Sequence, residues 1–249
     1  MNARIYILGS GAAIPIHRSP PCIAIKVDSD IYVLDPGEAC QIRMLKTGLS
    51  PLKARSIFIS HLHGDHYLGL PGMIQTMTLS NRKDPLYIVA PKEFKDFIEI
   101  SMEKGFIKPG FKLELFELYP GFTYEDGKII VKAFQVLHSI ESYGFHIAIG
   151  KKTICYTGDT RPTDVVVENC READILIHEA TFTSAMHEEA YEQGHSTALD
   201  AALIALRANV KMLVLTHISA RYSDDEILKD AKRFFKNCVV ARDGMVLIL

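Results

Sequence analysis

The chain has 249 residues, close to the upper size of one layered α/β core, with 48% hydrophobic and 23% charged residues, ordinary globular proportions. No run approaches the roughly 18 consecutive apolar residues of a membrane helix, so no membrane association is expected. A formal net charge of −2 gives the whole molecule no long-range pull on polyanions such as RNA, so nucleic-acid contact would have to come from a local basic patch or from bound metal.

In chain order, Arg4–Leu8 alternates like a strand and runs into the Gly9–Gly11 turn, without the apolar core or cleavage site of a signal peptide. A hairpin follows, Ile23–Val27 to Ile31–Leu34 about Asp28-Ser29-Asp30, then a helix from Glu38 to near Gly48. Ser56–Ser60 reads as a short strand and Tyr67–Leu79 as a helix, and Pro91 opens a helix over Lys92–Lys104 closed by Gly105. Asp126-Gly127 is a hairpin turn feeding the strand Ile129–Leu137. Ser223-Asp224-Asp225-Glu226 is a capping box that starts a helix to about Asn237, and Asp243-Gly244 joins two final strands. Two β-rich halves, each followed by helices and with no linker or repeat between them, predict one domain spanning residues 1–249. Its fold class is α/β, two sheets packed face to face with helices outside, a four-layer αββα sandwich.

Five cysteines, Cys22, Cys40, Cys155, Cys170 and Cys238, are odd in number and scattered, with no Cys-x-x-Cys pair. This argues against a disulfide framework and a cysteine zinc knuckle, and a reducing cytoplasm is the expected location.

His61-Leu62-His63-Gly64-Asp65-His66 directly follows the apolar Ser56–Ser60. In extended chain, positions two apart face the same way, so His61 and His63 can grip one cation while the next turn directs Asp65 and His66 to a second. Crowding three imidazoles and a carboxylate is costly without metal, which disfavours a plain solvated loop. His138, Asp159 and His217 each end an apolar strand, the edge at which ligand sites of layered α/β proteins gather. Five His and two Asp without sulfur suit zinc first and leave manganese or iron open. Asp159 has two oxygens with which to bridge two ions, and Asp35 is placed either as a turn residue or as acceptor for a ligand histidine's second N–H.

Two metals at bridging distance make a hydrolase, without deciding between phosphodiester, β-lactam, thioester or sulfate ester. If Glu179 of His178-Glu179-Ala180-Thr181 meets His195 of His195-Ser196-Thr197, the imidazole can donate a proton to a departing alkoxide; otherwise Thr197 is only a helix cap and Glu179 a surface carboxylate. Arg221 is either a phosphate contact or a solvated loop charge.

These residues resemble ribonuclease Z, the tRNA 3′-processing endoribonuclease of the metallo-β-lactamase superfamily. The likeness runs through Leu8–Ala12, Asp35–Glu38, Ser60–Gly72, Tyr143–Phe145, Tyr156–Arg161, His178–Thr181, His195–Thr197 and Thr216–Tyr222. The His-x-His-x-Asp-His motif marks only the superfamily; His-Glu-Ala-Thr, His-Ser-Thr and Thr-His-Ile-Ser-Ala-Arg-Tyr are more specific. The resemblance implies two zinc ions per subunit, His61, His63 and His138 on one, Asp65, His66 and His217 on the other, and Asp159 on both. It also implies that Asp65 helps activate the water, Glu179 and His195 serve the leaving 3′-oxygen, and Arg221 meets phosphate. The substrate would be precursor tRNA and the assembly a homodimer, and the length excludes the larger relatives with an inserted second domain. Two departures stand out. The basic arm that clamps tRNA is replaced by Gly150-Lys151-Lys152, and Pro15–Cys22 departs from the family's Arg-Asn and paired serines. An arm-less form would lean on dispersed charges such as Arg82, Lys83, Lys104, Lys108 and Lys112, or would hydrolyse a small or cyclic phosphodiester instead.

Overall fold

The computed structural model describes residues 2–249. Strands β1 (Ala3–Gly9), β2 (Cys22–Val27) and β3 (Asp30–Leu34) form an antiparallel meander, and β4 (Ala54–Phe58), β5 (Leu86–Ala90) and β6 (Leu113–Glu117) continue it in parallel. The helices α1 (Cys40–Lys46), α2 (Gly64–Tyr67), α3 (Leu70–Leu79) and α4 (Phe94–Glu103) lie between them in sequence. The second half repeats the scheme. Antiparallel β7 (Thr123–Glu125), β8 (Ile130–Val136), β9 (Ser142–Ile149) and β10 (Lys152–Tyr156) lead into parallel β11 (Ile175–Glu179), β12 (Met212–Thr216) and β13 (Cys238–Val240). They are connected through α5 (Asp164–Asn169), α6 (His187–Gln193), α7 (Ala198–Arg207) and α8 (Asp224–Ala231), and β14 (Met245–Ile248) ends the chain.

Two seven-stranded sheets result, ordered β14-β1-β2-β3-β4-β5-β6 and β13-β12-β11-β10-β9-β8-β7. Period-two alternation assigns each strand residue to one of two cores. Ile5, Ile7, Ile25 and Phe58 of the first sheet meet Phe145, Ile147, Ile154 and Ile177 of the second. The intervening residues face outward: Leu8, Val33 and Ile57 cover Met44, Met73 and Ile98 of the first helix layer, while Leu176, Leu213 and Leu215 cover Val166, Ala201 and Ile227 of the second. This is the four-layer αββα sandwich the pattern predicts.

Several details differ from expectation. The helix over Tyr67–Leu79 is broken at Leu68-Gly69, where Gly69 N–H bonds to the Pro36 carbonyl and Pro71 restarts the helix near its first turn. α8 stops at Ala231 instead of reaching Asn237. The final strands joined by Asp243-Gly244 do not pair with each other: β13 is the edge of the second sheet, whereas β14 crosses to pair with β1. Asp243 accepts bonds from Ser10 N–H, Ser10 O–H and Ser19 N–H, so this turn clasps the two sheets together. Finally, Cys155 on β10 and Cys170 at the end of α5 form a disulfide with Cα atoms 5.5 Å apart. The packing of α5 onto the sheet creates that pair, and cysteine spacing carries no trace of it.

Candidate metal centre

Strands running in the same direction bring their carboxyl ends to one edge of the sandwich, and the polar residues that follow them converge there. β4 leads to His61 and His63, β8 to His138, β10 to Asp159 and β12 to His217. Local backbone cost marks the place. His217 sits at φ +55 and Asp35 at φ +47, conformations uncommon for residues with a Cβ. Gly158 turns at φ +59, where an added Cβ would lie 2.8 Å from that of Ser60.

Three donor groups form, one of them Asp159, His195 and His217, which overlaps the other two. His61, His63, His138 and Asp159 present ligand atoms within 4.8 Å of one another, as do Asp65, His66 and His217. His63 Nδ1 lies 3.1 Å from both His61 Nε2 and His138 Nε2. Asp159 Oδ2 stands between the sets, 3.7 Å from His61 Nε2, 3.4 Å from His66 Nε2 and 3.3 Å from His217 Nε2. Four donors about 2.0–2.1 Å from a tetrahedral ion are themselves about 3.3 Å apart, and the separations from His63 and Asp159 to His61 and His138 run from 3.1 to 4.0 Å around that value.

Four of the five rings are held with the second nitrogen occupied. His138 Nδ1 donates to the Gly194 carbonyl at 2.7 Å, His66 Nδ1 to Asp35 Oδ2 at 2.9 Å, and His217 Nδ1 to Thr181 Oγ1 at 2.8 Å, while His61 Nδ1 is 3.0 Å from Ser60 Oγ. That leaves Nε2 of all four directed at the centre. His66 Nε2, His217 Nε2 and Asp159 Oδ1 are buried with no hydrogen-bond partner, an arrangement that costs free energy unless something electropositive fills the space. Burial holds His61, His63 and His138 below the usual histidine range, the neutral form a ligand needs. Burial opposes the charge on Asp159, but His217, His66 and His61 outweigh it and hold the carboxyl well below the usual range. The residues therefore fit divalent-cation binding.

Asp35 acts as more than a turn residue: besides His66 it accepts from Ser60 N–H, Ser60 O–H and Tyr156 O–H. Glu179 does meet His195, whose Nδ1 lies 2.8 Å from Oε1, and Thr160 N–H and Thr181 O–H fix the remaining lone pairs. Burial would keep His195 neutral, but the Glu179 carboxylate prevails and raises its pKa to about 9. Thr197 is a helix cap as well, in a capping box with Asp200. His178, next to Glu179 on β11, is fully buried and its Nδ1 bonds to the Glu179 carbonyl.

Arg221 is exposed beside Phe182, 4.8 Å from ring centre, with its guanidinium 3.0 Å from Glu189. Of the dispersed cations, Arg82 is not available to RNA, because it is buried and bonds to the carbonyls of Leu52, Asp84 and Pro85. Lys104 and Lys112 are paired with Glu103 and Glu114. Thr181, Tyr156 and Gly194 were missed by sequence reasoning. Thr181 ends the His-Glu-Ala-Thr motif and Tyr156 precedes Asp159 by three residues, but nothing in their types announces that one bonds to His217 and the other to the Asp35 that holds His66.

A metallo-β-lactamase fold carrying these clusters defines a metal-dependent hydrolase, and comparison agrees: the beta-lactamase superfamily domain matches residues 32–218. The chain is 36% identical to ribonuclease Z of Methanosarcina acetivorans, covering 98% of this chain and 97% of that one, and 35% identical to ribonuclease Z of Sulfurisphaera tokodaii, covering 95% of each. The crystal structure of human tRNase Z, short form, superposes with a TM-score of 0.87 at 33% identity over 98% of both chains. The chain belongs to the ribonuclease Z family. The alignment to the Methanosarcina protein runs to 296 positions against 249 residues here, so that relative has stretches without a counterpart in this chain. Where the basic arm would be expected, β9 and β10 are joined by the two-residue turn Gly150-Lys151.

Proposed function

We propose that residues 1–249 act as one catalytic domain, a zinc-dependent phosphodiesterase that removes the 3′ trailer from precursor tRNA. The observation that carries this reading is the Glu179–His195 pair, 2.8 Å between partners and beside the Asp159-centred cluster, because a sugar alkoxide is a poor leaving group and needs a proton donor. His61, His63 and His138 would hold one cation, Asp65, His66 and His217 the second, and Asp159 both. When bound, the pair supplies Lewis acidity that acidifies a water and offsets charge on the phosphoryl oxygens.

The chain's own groups would do the rest. Asp65, with Oδ2 3.5 Å from His217 Nε2 and 3.7 Å from His66 Nε2, lies at the mouth of the second set and would take the water's proton. As the bond between phosphorus and the leaving 3′-oxygen breaks, His195, kept charged by Glu179, would deliver a proton from Nε2 to that oxygen, leaving a 3′-hydroxyl. Arg221 would exchange Glu189 for a substrate phosphate. Exposed Ile42 and Leu45 on α1 favour an isologous homodimer. No helix of the described residues is long and apolar enough to cross a membrane, and a tRNA substrate favours the cytoplasm, where the Cys155–Cys170 bridge would have to resist reduction.

The Gly150-Lys151 turn supports a second reading, hydrolysis of a small or cyclic phosphodiester. One experiment separates them: zinc-loaded protein is given a trailer-bearing precursor tRNA and, in parallel, a bis-nitrophenyl phosphodiester. Cleavage of the tRNA to a 3′-hydroxyl end supports the first reading. Turnover of the small diester with none of the tRNA overturns it.

A further inference from the structure

Among the arginines near the metal edge, Arg161 stands apart. Its guanidinium lies 4.4 Å from the centre of the Tyr191 ring, and among the described residues it has no carboxylate within ion-pair distance and no hydrogen-bond acceptor. Arg221, by contrast, is paired with Glu189, and Arg18 with Asp224. The backbone places Arg161 two residues after Asp159, with its N–H bonded to the Leu137 carbonyl, one residue before His138. Tyr191 comes from the other side. Its carbonyl accepts from Gly194 N–H, and the Gly194 carbonyl is the acceptor for His138 Nδ1. The stack thus stands on the rim between His138 and His195, and Tyr191 remains 53% exposed.

A charged guanidinium held over an aromatic face loses little freedom on binding a ligand, and its fork matches two oxygens of a phosphate. Carboxylates on the adjacent helix, Glu188, Glu189 and Glu192, do not neutralise it. The geometry points to Arg161, preorganised by Tyr191, as a binding residue for a backbone phosphate next to the scissile one in a single-stranded RNA segment. This rests on the phosphodiesterase reading above and deepens it. In a chain without a clamping arm, affinity for the strand has to be gathered at the rim of the site itself.

The test mixes zinc-loaded protein with a fluorescein-labelled hexaribonucleotide and reads anisotropy within the mixing time over a range of salt. Arg161→Gln should weaken binding roughly tenfold, the size of one charge-assisted hydrogen bond. It should also reduce the slope of log K against log salt by about 0.7, the signature of one lost phosphate contact to a single strand. Tyr191→Phe should keep wild-type affinity and Tyr191→Leu should lose part of it. Arg207→Gln, at the far end of α7, should change neither quantity. Weaker binding by Arg161→Gln with an unchanged salt slope would mean that the stack only braces α6, and overturns the proposal; so does a wild-type protein that does not bind the oligonucleotide. Failure to cut precursor tRNA would remove the tRNA reading alone, since the salt slope still decides the role of Arg161.

Discussion

At the scale of single residues, three buried atoms without partners, His66 Nε2, His217 Nε2 and Asp159 Oδ1, say more about the chemistry than any motif. They exist because hydrogen bonds on the far side of each ring fix which nitrogen is bare. Thr181 is the sharpest case: one hydroxyl donates to Glu179 and accepts from His217, joining the Glu179–His195 pair to a histidine of the second donor set. Thr181→Val keeps the shape but removes both bonds, and is expected to lower zinc affinity by about 10–100-fold in competition with a chelating dye, with Thr181→Ser restoring it. Equal affinity for all three would show that the hydroxyl does not orient His217. His195→Ala should keep its metal and slow cleavage of a ribose-leaving diester by roughly 10²–10⁴, with far less effect on a nitrophenyl diester, whose leaving group needs no proton. Equal slowing of both would remove His195 as the donor. The seven residues that gather at the metal edge were named from the sequence, because strand-terminal His and Asp clusters are a chemically unusual thing to build, whereas spacing alone left open whether Glu179 meets His195. Thr181, Tyr156 and the Gly194 carbonyl were not, since a hydroxyl or a carbonyl gains its role only from what folding sets beside it.

At the scale of elements, the sandwich is pinned at the end of β8 remote from His138 by a polar contact between the sheets. Asp126, in the turn between β7 and β8, accepts from Tyr32 of β3 at 2.7 Å and from Lys128 and Ile129 N–H, and pairs with Arg55 of β4. Burial works against its charge, but these donors prevail and hold its carboxyl below the usual range. The stabilisation is therefore present above the unfolded value near 3.8 and is lost as pH falls through the lower native one. Asp126→Asn should cost about 1–3 kcal/mol at neutral pH in denaturant unfolding and should flatten the loss of stability below pH 4. An unchanged acid limb would show that Asp126 does not carry it. Strand and helix positions were largely readable from period and caps. The misread elements share a cause: Gly69 breaks a helix because it meets Pro36, and β14 leaves β13 because β1 offers a free edge, both contacts distant in sequence.

At the scale of the whole molecule, the arm-less form separates chemistry from grip. The metal edge is complete, while most cations that could hold a tRNA body are paired or buried. Substrate affinity is therefore expected to depend on the rim and on a second copy of the chain. If α1 forms the dimer face, Leu45→Glu should convert a dimer to a monomer in sedimentation without loss of zinc; a wild-type protein that sediments as a monomer removes that assembly. The account as a whole rests on two cations sharing Asp159, and zinc titration of the stripped protein followed by calorimetry and elemental analysis tests it most directly. It predicts two equivalents bound by the wild type and weakened binding of both in Asp159→Asn. Uptake of no zinc by the wild type, or two equivalents bound with undiminished affinity by Asp159→Asn, would contradict it.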